Sequence, residues 1–255
     1  MKLATWNVNS LKVRLPQVLD WAGRHRPGVL CLQETKLEDG KFPAAEIRAA
    51  GFEPLASGQR TYNGVCIVSL APPIETITEI PGLGDPQKRV LAATIAGIRI
   101  INAYVPNGEN VESDKYRYKL KWLASFRDWL KNELAQHPRL AVVGDFNVAP
   151  ENRDVYDPKA WEGQVLFSEP ERAAFKSLLD LGLKDSFRLF EQPERSFTWW
   201  DYRMNSFRRK MGLRIDHILL SDGLAKACTA CKIDTEPRKN ERPSDHAPVI
   251  AELQI

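Results

Sequence analysis

The stretch AVVGDFNVAP, residues 141–150, carries an apolar run to its end and then presents two polar side chains, Asp145 and Asn147, before Pro150 closes it. In a β-strand residues i and i+2 share a face, so an extended reading points Asp145 and Asn147 the same way and turns Phe146 into the core. A carboxylate and an amide held together in a partly dry cleft suit one hard divalent cation and one oriented water or oxyanion. The plainer reading of the same residues is an Asx turn in which Asn147 caps the loop.

Two further segments carry the same kind of chemistry. Glu34 follows the apolar run in VLCLQET, where an uncompensated carboxylate is costly and must meet a cation or reach water. Asn7 ends the first apolar run and is placed to be its neighbour; a carboxylate with a few amides or acids is the oxygen-rich set that Mg²⁺ or Mn²⁺ prefers. RPSDHAPV sets Asp245 beside His246 between Pro243 and Pro248, which restrict the loop's path. A carboxylate next to an imidazole supplies a metal ligand and a cation for a phosphoryl oxygen. His25, His137 and His217 stand at helix ends or inside a strand and read as structural, which leaves His246 as the functional histidine.

These residues need elements to position them. Strands are expected over Leu3–Val8, Val29–Gln33, Val65–Leu70, Val90–Ala96, Ile98–Val105, Leu140–Gly144, Arg214–Leu220 and Val249–Leu253, several of them continuous apolar runs of the kind buried on both faces. Helices are expected over Arg14–Arg26, Pro43–Ala50, Asp114–Ala135 and Glu171–Leu181, the last with Pro170 just before its first turn. Strands inside and helices outside make an α/β layered fold. The polar groups then terminate neighbouring strands at one sheet edge, where layered α/β folds place ligands.

Composition is that of an ordinary soluble globular protein. The 255 residues are 43% hydrophobic and 27% charged, without linker, repeat or biased segment, so a single domain over 1–255 is expected. Neither a signal peptide nor a membrane span is visible, and the four scattered cysteines, Cys228-x-x-Cys231 among them, read as reduced cytoplasmic thiols without a metal. A net charge of +3 is weak evidence for nucleic acid by itself. Its clustering says more: Lys115–Lys121 interleaves cations with aromatics, and Arg203, Arg208, Arg209, Lys210 and Arg214 crowd a second segment. A solvated helix face and a basic loop are the plainer readings of the two.

At TWNVNSL, LQETK, NAYVPNG, GDFNVAP, LRIDHILLS and RPSDHAPV the sequence resembles the exonuclease III family of class II abasic-site endonucleases, within the wider endonuclease/exonuclease/phosphatase superfamily, from Lys2 to Leu253. The resemblance implies a four-layer α/β sandwich of two mixed sheets with helices outside. It implies a Mg²⁺-dependent phosphodiesterase, with Mn²⁺ as a substitute, acting on double-stranded DNA with abasic sites or 3′ ends and leaving a 3′-hydroxyl. Asn7, Glu34 and Asp245 look like metal-side residues, with Asp145, Asn147 and His246 sharing that site. Asp145 resembles the residue that activates water, Asn147 its orienting partner, Tyr104 the tyrosine at the scissile phosphate, Asp216 the acid that orients the histidine and His246 the phosphate-binding histidine. Asp216 and Asp245 stand open to trade duties.

By the same resemblance Lys12, Arg14, Tyr62, Asn63 and Asn107 match DNA-backbone contacts, which position a duplex without reading sequence. Trp199, Trp200, Leu213 and Ile215 supply an apolar slot for a flipped sugar, with core packing the plainer reading of the two tryptophans. Asn9 stands where animal relatives have aspartate, and Leu213 where they have tryptophan. A monomer with no obligate protein partner is expected. The competing readings are another phosphodiesterase or phosphatase of the superfamily, acting on lipid head groups, and a DNA-binding relative without catalysis.

Overall fold

Twelve strands sort into two sheets of six. In chain order they are β1 (Lys2–Asn7), β2 (Val29–Gln33), β3 (Glu53–Ser57), β4 (Val65–Ser69), β5 (Ile74–Ile77), β6 (Val90–Ile95), β7 (Ile98–Tyr104), β8 (Leu140–Asp145), β9 (Lys184–Asp185), β10 (Asp216–Leu220), β11 (Cys228–Ile233) and β12 (Val249–Leu253). The helices are α1 (Leu11–His25), α2 (Ala44–Ala49), α3 (Asp114–Gln136), α4 (Pro158–Trp161), α5 (Glu169–Leu179) and α6 (Asp222–Ala227). The computed structural model describes all residues from 1 to 255.

The first sheet has the order β11-β12-β1-β2-β4-β3 and the second β5-β6-β7-β8-β10-β9. The eight strands expected from apolar runs are the eight interior ones. The four that the runs did not announce, β3, β5, β9 and β11, are the four sheet edges. An edge strand is half solvated and needs no continuous apolar run; β3 even contains Pro54, which an interior strand would not tolerate.

The sheets face one another across a layer of apolar side chains that includes Leu3, Val29, Cys31 and Ile67 from the first and Ile100, Ala141, Val143 and Ile218 from the second. Helices α1 and α2 cover the outer face of the first sheet through Val18, Trp21 and Ile47. Helices α3 and α5 cover the second through Trp122, Phe126, Phe175 and Leu178. The result is the expected four-layer α/β sandwich. Each fully buried aliphatic or phenyl side chain in these layers contributes roughly 1.5–3 kcal/mol.

Polar pins align the two sheets. Asn102 of β7 donates from Nδ2 to the Leu32 carbonyl at 3.0 Å and the Cys66 carbonyl at 2.9 Å, both in the opposite sheet. Gln33 at the end of β2 donates to Asn102 Oδ1 at 2.7 Å and to Thr5 Oγ1 at 2.9 Å. A buried amide left unpaired costs roughly 1–3 kcal/mol, so slippage between the sheets is penalised just where their ends carry the site.

Helix α5 starts earlier than the sequence suggested. Pro170 lies within its first turn, and Ser168 with Glu171 forms a capping box. Glu171 is fully buried and paired with Lys119 of α3. The Lys115–Lys121 run is accordingly a helix segment with Tyr116 and Lys119 turned inward.

A second buried charge network locks β10 to the loops beneath it. Arg214 donates to Asp154 from Nε at 2.6 Å and pairs with Asp185 at 2.8 Å. The same guanidinium faces His217 Nδ1 at 3.0 Å, which must therefore accept, leaving Nε2 to donate to the Val148 carbonyl at 3.0 Å. Burial, reinforced by Arg214, lowers the His217 pKa to about 4 from 6.5. Between those values the unfolded chain binds the extra proton, so stability falls as pH drops through the window, by about 1.4 kcal/mol per pH unit. Denaturant unfolding at pH 7 and pH 5 is expected to show a loss about 2 kcal/mol larger in the parent than in His217→Gln. Equal losses would show that His217 charges freely in the folded protein.

Candidate active site

Each sheet contains one parallel pair, and the two pairs end on the same side of the molecule. In the first sheet β1 runs parallel to β2 and brings Asn7 opposite Gln33, with Glu34 just beyond. In the second β7 runs parallel to β8 and sets Tyr104 opposite Asp145. Antiparallel β10 adds Asp216 directly opposite Asp145, and the segment before β12 brings in Asp245 and His246. Direction reverses beside each parallel pair, so the strand ends leave a crevice there.

Asn7, Glu34, Tyr104, Asp145, Asn147, Asp216 and His246 gather in that crevice. Asn7 Nδ2 donates to both Glu34 Oε1 and Asp145 Oδ2 at 2.9 Å, and its Oδ1 accepts from Asn9 N at 2.9 Å. Asn7 thus stands beside the carboxylates as a donor that joins them, which differs from an oxygen offered to a metal. His246 Nδ1 donates to Asp216 Oδ2 at 2.9 Å, while Nε2 lies 3.8 Å from Asp145 Oδ2. Asp216 therefore takes the histidine-orienting position, and its Oδ1 is buried without a partner.

The relation of Asp145 to Asn147 is not strand alternation. β8 stops at Asp145, and Asn147 has φ 49°. Its N–H donates to Asp145 Oδ1 at 2.9 Å, an Asx turn, with the aspartate as the capping side chain. Asn147 Nδ2 then reaches the Val105 carbonyl at 3.0 Å and Asp145 Oδ2 at 3.3 Å, and its Oδ1 accepts from Asn107 Nδ2 at 3.1 Å. Turn and paired polar groups coexist, so the two sequence readings were not alternatives.

Electrostatics follow from burial and crowding. Burial opposes a charge on His246, but Asp216 and Asp145 outweigh it and push its pKa up to about 10. Burial first, then Asp216, pushes the Asp145 carboxyl up, against the pull of His246 and the Asn7 and Asn147 donors. Burial and the facing charges of Glu34 and Asp145 hold the Tyr104 hydroxyl protonated well beyond neutrality, so it serves as a donor. Arg89 lies 4.7 Å over its ring.

Glu34, Asp145 and His246 offer ligand atoms that all lie within 4.8 Å of one another. The carboxylates of Glu34 and Asp145 are hard oxygen donors that fit a divalent cation, whose charge would favour the ionised form of Asp145 against the burial that raises its pKa. Asp245 stands outside this cluster, its two oxygens taken by Asn9 Nδ2 at 2.9 Å and Trp199 Nε1 at 3.0 Å. The sequence reading overlooked Lys36, whose Nζ lies 2.9 Å from Glu34 Oε2 and 2.5 Å from Asn9 Oδ1. Its position two residues after Glu34 in LQETK was the available signal.

The expected DNA contacts divide. Tyr62, 68% exposed, joins Asn63 and Asn107 around a cavity of about 590 Å³ that Arg89, Tyr104 and Lys115 also line, continuous with the crevice. Lys12 is exposed on the first turn of α1. Arg14 differs: its guanidinium is taken up by the carbonyls of Asn9, Arg242 at 3.1 Å and Pro243 at 3.0 Å and by the Tyr202 hydroxyl at 3.2 Å. It clasps the loop leading to Asp245 rather than facing outward. Leu213 and Ile215 are buried among Ala149, Val155 and Phe167, and Trp200 packs with Phe197 and Ala247. These three side chains pack the core and leave only Trp199 partly exposed, because the chain pairs Leu213 with Val155 and Trp199 beneath the crevice. Cys31, Cys66, Cys228 and Cys231 are free thiols.

Two layered sheets with carboxylates, an imidazole and amides at the ends of their parallel pairs define a metal-dependent hydrolase of the four-layer α/β class. The model of the endonuclease/exonuclease/phosphatase family matches residues 4–246, and the chain belongs to that family. It is 34% identical to exodeoxyribonuclease III of Haemophilus influenzae over the whole of both chains. Among solved structures it is similar to the 3′ phosphatase NExo from Neisseria, an aspartate-to-asparagine variant bound to a product DNA hairpin, with 48% identity, full coverage of both chains and a TM-score of 0.98. It is also similar to an AP endonuclease from Archaeoglobus fulgidus, with 39% identity, full coverage of both chains and a TM-score of 0.97.

Proposed function

We propose that this chain is a DNA repair phosphodiesterase that uses Mg²⁺, with Mn²⁺ as a substitute, and acts on double-stranded DNA at 3′ ends, 3′-blocking phosphates or abasic sites to leave a 3′-hydroxyl. The observation that carries this reading is the meeting of Glu34, Asp145 and His246 within 4.8 Å, beside Tyr104 and Asn147, at the ends of the two parallel strand pairs.

Glu34 and Asp145 are the residues that would hold the cation, with Asn7 and Lys36 orienting them. When bound, the cation would neutralise phosphate charge and stabilise the charge that develops in the transition state. Asp145 accepts a proton from the attacking water. His246, kept cationic by Asp216, and the Tyr104 hydroxyl donate where negative charge grows on the phosphoryl and leaving oxygens, joined by the Asn147 amide when its long 3.3 Å contact to Asp145 Oδ2 gives way to substrate. Removing one such donor costs on the order of 10²–10³ in rate. Asp245 supports this arrangement through Asn9 and Trp199 rather than as a ligand. Tyr62, Asn63, Asn107 and Lys12 track the backbone, so damage and shape, not base sequence, select the substrate.

The chain works on this reading as a single-domain monomer in the cytoplasm. No helix is long and apolar enough to cross a membrane. The test uses end-labelled duplexes carrying an abasic site, a recessed 3′ end or a 3′-phosphate, each incubated with Mg²⁺ or with chelator. Chelator-sensitive turnover is expected on at least one, with products that a polymerase extends. No turnover on any of the three with Mg²⁺ or Mn²⁺ would remove the proposal.

A further inference from the structure

The loop that carries Asn147 is held from behind by a buried ion pair that the chemistry above does not use. Asn147 keeps a left-handed backbone, which asparagine adopts more readily than other non-glycine residues and which its contacts here select. Lys119 of α3, with no solvent exposure, directs its ammonium at the main-chain carbonyl of Asn147 at 2.6 Å, at that of Asn107 at 3.0 Å and at the Glu171 carboxylate. An ammonium has three donors, and all three are engaged. Glu171 in turn accepts from Leu166 N at 3.0 Å, Ser168 N at 3.1 Å and Ser168 Oγ at 2.5 Å. The side chains of the two residues gripped by Lys119 meet each other in front, Asn107 to Asn147.

We propose that Lys119, held in place by Glu171, is a positioning residue that joins the two loops behind the crevice and aims Asn147 and Asn107 at the reacting phosphate. The proposal rests on the reading of Asn147 given above. Two carbonyls from separate loops converge on one point, and carbonyl dipoles converging there repel unless a cation stands between them. The ammonium removes that repulsion and sets the distance between the loops. Stability alone gives little reason for the pair, since well-packed apolar replacements of buried ion pairs are often neutral or better. His217 and Arg172 grip the next carbonyls of the same loop, Val148 at 3.0 Å and Pro150 at 2.9 Å, but neither touches the Asn107 side.

Lys119→Met alone strands the Glu171 charge in the interior and risks unfolding. The informative variant pairs Lys119→Met with Glu171→Gln, which removes both charges at nearly constant volume. It is expected to fold, to bind an uncleavable or chelator-protected duplex as the parent does, and to show kcat lowered about 10- to 100-fold, the effect of misplacing a reacting group by about 1 Å. KM is expected to stay within about threefold, since the loss falls on the transition state. Amide hydrogen exchange at Asn147 is expected to quicken. A folded double variant with parental kcat overturns the proposal. If the parent itself cleaves no DNA, the functional reading fails separately, and exchange at Asn147 still decides: unchanged exchange overturns the positioning role.

Discussion

Asp145→Asn is expected to lower chelator-sensitive DNA cleavage by about 10³-fold or more while leaving the fold and duplex binding in place. A positioned general base is worth roughly 10²–10⁴ in rate, and Asp145 combines that role with a place in the cation cluster. The amide keeps the shape of the carboxylate and one acceptor for the Asn147 N–H. It cannot accept from both Asn7 Nδ2 and Asn147 N as the carboxylate does, which costs stability. Removing a buried charge that faces Asp216 relieves repulsion and offsets much of that cost. Single-turnover cleavage and fluorescence anisotropy of labelled duplex in chelator separate the two effects. A variant that cleaves at a tenth of the parental rate or faster would show that Asp145 is not the base.

For Glu34→Gln the expected change is in metal demand. The Mg²⁺ concentration giving half-maximal cleavage should rise about 100-fold or more, with much of the rate recovered at high Mg²⁺ or in Mn²⁺. Losing a mere outer partner of a ligand typically costs 10- to 100-fold in affinity, and Glu34 brings a full charge. The substitution keeps an oxygen for Asn7, and Lys36 is exposed enough to turn to water, so the midpoint of thermal unfolding should move little. A rate curve superimposable on the parental one along the Mg²⁺ axis would take Glu34 out of the cation site.

Much of the site was readable because of where polar residues stand along the chain. Asn7, Glu34, Tyr104, Asp145 and Asp216 each close or open an interior strand, and a polar side chain at that position has only the crevice or the core to face. What each one does there was less readable. Asn7 was expected as a ligand and turned out to present its donor, since two carboxylates approach the same amide. Arg14, expected as a DNA-backbone contact, is taken up by carbonyls from residues more than two hundred positions away. Leu213 and Ile215, offered as a slot, fill the core beneath it. Lys119 looked like one cation in a basic stripe, and only Glu171 from another helix makes it an interior residue.

The amino-acid sequence by itself determined the eight interior strands, the layered α/β class and the identity of the polar residues at the strand ends. Strands buried on both faces require continuous apolar runs, and a run is a local property that survives without knowledge of its neighbours. Only the tertiary structure decided the four edge strands and the pairing of Asn7 with Asp145 across 138 residues. It also decided which charges were buried against which. An edge strand takes its hydrogen bonds from the strand beside it. A buried polar side chain takes its role from whichever partner satisfies it, and neither partner lies within reach along the chain.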